Sequence, residues 1–195
     1  MKKKYLNLPN VLTMLRIVLV PVCMALIIFL PDTLGAALTA AAVFLLISLT
    51  DLLDGYLARK YHMVTDFGKF LDPIADKILI LGVFVAVLAK TANTLFGALL
   101  VWVVFLILFR ELAVTSLRLL LAGREGKVVS ASLFGKIKTV SQMIAVCVFL
   151  LEPPLLTPAL GTPDRLFSYL FLAVVSVTTL GSGIQYFLVN LRKDA

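Results

Sequence analysis

At 195 residues, 61% hydrophobic and only 15% charged, with a mean hydropathy of +1.05, the chain has too little polar surface to read as a water-soluble globule. Its net charge of +7 comes from Lys and Arg scattered between apolar runs, not gathered on a folded module, so nucleic acid is not expected as a partner and a cytoplasmic-leaflet bias is. Cys23 and Cys147 sit inside apolar runs with no CxxC spacing, which reads as packed or lipid-facing thiols.

The opening MKKKYLNLPN puts positive charge ahead of an apolar run, yet VPVCMALIIFLPD offers no small-residue cleavage site, so residues 11–30 read as a retained first helix. Further apolar runs predict helices over 34–61, 68–90, 95–122, 133–151 and 166–191, with breaks at PDTLG, KTANT, AGREGK and EPPLLTP. Lys2, Lys3, Lys4, Arg59, Lys60, Lys69, Arg118, Arg124, Lys127, Lys136, Lys138, Arg192 and Lys193 fall at one set of helix ends, against Lys90 and Arg165 at the other. The expectation is an all-α integral membrane protein: six transmembrane helices, both termini cytoplasmic, and one domain over 1–195.

Between the second and third helices, DLLDGYLARKYHMVTDFGKFLDPIADK collects five of the 11 acidic residues. Asp66 suits a helix cap. Asp51 and Asp54, three apart, and Asp72 and Asp76, four apart, each share a helical face, and the short polar turn through His62 makes the two helices antiparallel neighbours. Four converging carboxylates at membrane depth are costly unless paired or coordinated. Arg59, Lys69 and Lys77 are too few and too spread to neutralise them, whereas two Mg²⁺ or Mn²⁺ ions would, and oxygen-only donors favour such hard cations over zinc. Paired ions of this kind serve displacement at phosphorus. From carboxylates alone, a calcium buffer, a cation transporter or a channel stays open. Gly55, Ala58 and Gly68 let a bulky polar group approach the backbone or let helices pack closely, and Arg59 suits a phosphate.

Read as a pattern, Asp51-x-x-Asp54-Gly55-x-x-Ala58-Arg59, eight residues, Gly68, three residues, Asp72, three residues and Asp76 resembles the CDP-alcohol phosphatidyltransferase signature at every fixed position. The resemblance implies a six-helix membrane enzyme, usually a homodimer, that moves a phosphatidyl group from a CDP-linked lipid to an alcohol and releases CMP. It implies that Asp51, Asp54, Asp72 and Asp76 hold the metals, that Asp76 is also the base, and that Gly55, Ala58 and Arg59, with Gly68, line the nucleotide site.

The acceptor has to be read elsewhere. Arg110 follows the apolar run LLVWVVFLILF, and with Arg118, Lys136 and Lys138 it makes a cradle for a dianion, so the alcohol is expected to carry its own phosphate. Arg124 and Lys127 read as membrane anchors. Arg110-Glu111, Thr115-Ser116-Leu117-Arg118 and Gly135-Lys136-Ile137-Lys138-Thr139 resemble one branch of the family. So does NLPNVLTMLR, whose Asn10, Thr13 and Arg16 are assigned to the CDP-lipid. Phe109 departs from that branch, where a small residue is expected. The resemblance implies CDP-diacylglycerol and sn-glycerol 3-phosphate as substrates in a bacterial-type cytoplasmic membrane, with the active site facing the cytoplasm; inositol phosphate, serine or another lipid is the alternative acceptor. His62 reads as an interfacial loop residue and Trp102 as a lipid-facing one. Ala36 with Ala40 and Gly82 with Ala86 have the spacing of a packing or dimer seam.

Overall fold

The computed structural model describes residues 8–60, 65–125 and 133–191; side chains at 8, 9, 51–59, 66, 69, 119–125, 133, 190 and 191 also lie outside the description. Among the described residues there are only helices: α1 (Leu8–Phe29), α2 (Leu34–Lys60), α3 (Asp66–Thr91), α4 (Leu95–Glu125), α5 (Leu133–Leu151), the short α6 (Thr157–Leu160) and α7 (Leu166–Leu191). The six long ones fall where the apolar runs predict them. EPPLLTPAL differs from the expected break. A π-helical turn over Glu152–Leu156 and α6 continue the coil, because Pro153 and Pro158 fall at first-turn positions where the missing N–H costs no hydrogen bond.

Local caps start the helices. Thr65 is extended and its hydroxyl accepts the Gly68 N–H at 3.0 Å, while Thr94 does the same for Gly97 N–H at 3.0 Å. Glu152, fully buried, accepts hydrogen bonds from the Phe167 and Ser168 N–H groups and the Ser168 hydroxyl, satisfying donors in the first turn of α7.

Contacts between helices fix their directions. Thr13 and Arg16 near the start of α1 meet Asp72 and Asp76 near the start of α3, and the Leu30 carbonyl after α1 accepts from Lys90 at the end of α3, so the two run parallel. Late α4 meets early α3 through Thr115 and Lys77, and early α5 through Glu111 and Lys138, so α4 is antiparallel to both. Phe96 on Tyr169 and Arg118 on Tyr186 make α4 and α7 parallel. Helices alternate up and down, and α1 begins at the end of the bundle where α7 finishes.

The surface is inverted relative to a soluble protein. Val18, Phe29, Leu46, Trp102, Phe105 and Val177 face outward, while Arg16, Lys138, Gln142, Glu152, Ser168 and Thr179 are buried. Lipid outside and polar pairing inside give that arrangement. Four described helices are long and apolar enough to cross a membrane, covering Asn10–Phe29, Leu95–Arg118, Phe134–Leu160 and Leu166–Val189; α2 offers the shorter apolar stretch Leu34–Thr50. The core is apolar in its middle, with Val20, Ile27, Phe44, Val83 and Ala145 in one cluster. A Cβ on Gly82 would lie 2.9 Å from Val20 Cγ1, and Ala86 is fully buried, so this small-residue stripe is used in packing α1 on α3.

Candidate active site

The site grows from α3. A rise of 1.5 Å per residue puts Asp72 and Asp76 roughly 9–15 Å in from the start of α3, and the Asp51 to Asp54 turn roughly 9–14 Å from the end of α2. The two acidic turns are therefore at the same depth at the same end of the bundle. The side chains of Asp51, Asp54, Gly55, Ala58 and Arg59 lie outside the described residues, as do those of the expected anchors Arg124 and Lys127.

From α1, three polar residues reach this helix. The Asn10 amide donates to Thr65 Oγ1 at 3.1 Å, the Thr13 hydroxyl donates to Asp72 Oδ1 at 3.0 Å, and Arg16 Nη1 donates to Asp76 Oδ1 at 3.0 Å. Spacings of three in α1 put all three on one face. The Arg16 side chain is 0% exposed whereas that of Asp76 is 55% exposed, so the carboxylate is held from beneath and open above. A charge-assisted bond from a fixed guanidinium is a strong constraint on the aspartate's position. Gly68 sits in the same corner. A Cβ there would lie 2.8 Å from Asn10 Oδ1 and 3.2 Å from Thr65 Oγ1, so this glycine makes room for the α1 contact.

A second polar group lies across α4 and α5. Glu111 accepts hydrogen bonds from Arg110 Nη1 at 3.0 Å and from Lys138 Nζ. The Lys138 charge also feels Lys77, whose Nζ donates to Thr115 Oγ1 at 2.6 Å. Of the expected phosphate-binding residues, Arg110 and Lys138 are thus brought together. Lys136 is exposed, and Arg118 lies over the Tyr186 ring at 5.9 Å. Phe109 is 61% exposed and stacks on Phe105, so the departure from a small residue points outward and leaves Arg110 undisturbed. The residues that sequence reasoning passed over are Lys77 and Thr115, and Glu111 in its role as shared counter-charge. Lys77 was visible beside Asp76, but only the approach of α4 shows where it goes.

All the donors at the acidic end are oxygens, Asp72 and Asp76 lie one turn apart and part-exposed, and the set suits hard divalent cations. Chemically, then, this is a helical membrane protein that presents carboxylates beside a cationic cluster, the makings of a phosphoryl-group enzyme. The sequence matches the family profile described as CDP-alcohol phosphatidyltransferase over residues 6–181, and the chain belongs to that family. It is a phosphatidyltransferase.

Curated relatives cover nearly the whole chain. A Bacillus subtilis protein named CDP-diacylglycerol–glycerol-3-phosphate 3-phosphatidyltransferase is 41% identical over 199 aligned positions, covering 94% of this chain and 95% of that protein. A Mycobacterium tuberculosis (strain H37Rv) protein named as a probable phosphatidylglycerophosphate synthase is 38% identical, covering 95% of this chain and 82% of its own length. A Pseudomonas fluorescens protein with the same name as the Bacillus one is 34% identical, covering 93% and 88%.

Proposed function

We propose that this chain, acting as a single domain, transfers the phosphatidyl group of CDP-diacylglycerol to sn-glycerol 3-phosphate, giving phosphatidylglycerophosphate and CMP. The observation that carries the reading is the pairing of an open, Arg16-anchored Asp76 with a half-buried cationic group around Arg110 and Lys138. The names of the relatives support the same substrates. In the reaction, a bond forms between an acceptor hydroxyl oxygen and the phosphatidyl phosphorus, the bond from that phosphorus to the CMP oxygen breaks, and CMP departs.

Asp76 takes the hydroxyl proton on its open face while Arg16 holds the other side of the carboxylate still. Thr13 orients Asp72 in the same way. Asp51, Asp54, Asp72 and Asp76 would hold two Mg²⁺ or Mn²⁺ ions, which when bound screen the pyrophosphate and stabilise the departing CMP. Gly55, Ala58, Arg59 and Gly68 form the approach for the nucleotide, and Asn10, Thr13 and Arg16 brace its floor. Arg110 and Lys138, bridged by Glu111, attract the acceptor phosphate, with Arg118 and Lys136 nearer the rim.

The same reading makes all six long helices membrane spans. α2 and α3 lower their hydropathy with the very residues the reaction uses. Both chain ends and the active site face the cytoplasm of a bacterial-type inner membrane, and two copies associate as a homodimer. The decisive experiment supplies purified protein with CDP-diacylglycerol and, separately, glycerol 3-phosphate, inositol phosphate and serine. CMP release with glycerol 3-phosphate is expected, lost with a chelator and restored by Mg²⁺ or Mn²⁺. Full activity in stripped protein would overturn the metal assignment, and product with another acceptor alone would overturn the substrate. Cation flux through protein-containing liposomes without CDP-lipid would overturn the enzyme reading of the carboxylates.

A further inference from the structure

Lys77 stands next to Asp76, so their Cα atoms are about 3.8 Å apart and their side chains leave α3 about 100° apart. Asp76 goes to α1 and Lys77 goes to α4. Within the cationic group, charges are unevenly matched. Arg110 and Lys138 share Glu111, and Lys138 is itself buried. Lys77 bonds to a neutral hydroxyl, that of Thr115, close enough to Lys138 for the two charges to repel. Among the described residues, Lys77 is therefore the cation of this group that no carboxylate neutralises, and three positive charges face one negative one. A half-buried positive excess of this kind is discharged by a dianion.

We infer that Lys77, steadied by Thr115, is the specificity-determining residue of the acceptor site: it takes the acceptor phosphate at a separation from Asp76 fixed by one helical step. This inference rests on the phosphatidyltransferase reading above. Because the base and the phosphate anchor are consecutive residues of one rigid helix, the site measures the acceptor. It selects an alcohol that carries its own phosphate and discriminates against acceptors without one. Glu111 is a positioning residue in this scheme, since it offsets part of the Arg110 and Lys138 charge and leaves Lys77 as the cation of the group with no such offset.

The test compares wild type with Lys77→Met, Lys77→Arg and Thr115→Val, all in the full chain in lipid micelles. The KM for glycerol 3-phosphate should rise about tenfold or more in Lys77→Met, the scale of one lost charged hydrogen bond. The KM for CDP-diacylglycerol should stay within about twofold, and inhibition by inorganic phosphate should weaken in parallel. Lys77→Arg should recover most of the acceptor affinity, and Thr115→Val should fall between. An unchanged acceptor KM in Lys77→Met, or equal losses on both substrates with no recovery in Lys77→Arg, would overturn the inference alone. A wild-type enzyme that ignores glycerol 3-phosphate would overturn the functional reading beneath it.

Discussion

At one end of the bundle the helices meet through polar atoms, Thr13 on Asp72, Arg16 on Asp76, and Arg110 and Lys138 on Glu111. At the other they meet through rings: Phe149 is edge-on to Phe84 at 5.9 Å and to Phe96 at 5.1 Å, and Phe96 is edge-on to Tyr169 at 5.7 Å. Arg165 lies over Phe96 at 4.9 Å, and the buried Glu152 fastens the start of α7 nearby. Aromatic edges and a buried cap rigidify this end, where Lys90 and Asp32 pair with each other at 2.8 Å. Charged pairs such as Asp76 above Arg16 hold geometry while leaving the carboxylate part-exposed. The far end therefore holds the helices mainly through rings, and the near end through polar atoms.

The largest separation of the two ends should come from Asp76→Asn. Turnover is expected to fall by about 10²- to 10⁴-fold, the range of a lost general base, with a smaller drop in melting temperature because Asn still accepts from the buried Arg16 but no longer neutralises it. Release of CMP and a thermal scan on the same preparation check it. Next comes Glu152→Ala at the opposite end, which orphans the Phe167 and Ser168 donors. It should cost roughly 1–3 kcal/mol in stability while both KM values hold, read by thermal unfolding and steady-state kinetics. A fall in turnover without a fall in stability would break the comparison.

Gly68→Ala sharpens it at the boundary between packing and chemistry. The added methyl meets Asn10, itself bonded to Thr65, so about 1–3 kcal/mol of overpacking is expected, with a lower kcat as α1 shifts from Asp72. Asn10→Ala in the same chain should restore part of the stability. The smallest effect belongs to Phe109→Ala. That ring faces outward, so stability and acceptor KM should change little, within about 0.5 kcal/mol.

Most of the fold was legible because apolar runs of spanning length separated by Pro, Gly and Asp leave few alternatives. Helix ends at 8 instead of 11, 66 instead of 68 and 125 instead of 122 differ by a turn or less, as caps such as Thr65 draw polar residues into the first turn. EPPLLTPAL was misread because a cluster of prolines looks like a stop, although a proline in the first turn is tolerated by a helix. Of the acidic motif, the described part is Asp72 and Asp76, whose spacing of four put them on one face of α3. Their partners were less legible. Asn10, Thr13 and Arg16 read as a set on one face, but the face they meet lies 55 to 60 residues further on. Lys77 with Thr115, 38 residues apart, and Glu111 with Lys138, 27 apart, depend on how α4 rotates against two neighbours, which hydropathy does not encode.

The burial of Arg16 carries a consequence for how the protein is made. This guanidinium belongs to α1, yet its carboxylate partner is synthesised 60 residues later. An arginine alone in hydrocarbon is costly, so the newborn segment has to keep that side chain at the headgroup boundary until α3 is threaded in beside it. Packing of α3 against α1 and neutralisation of this arginine are then one event, and a chain stalled before it carries an α1 whose arginine still lacks this carboxylate.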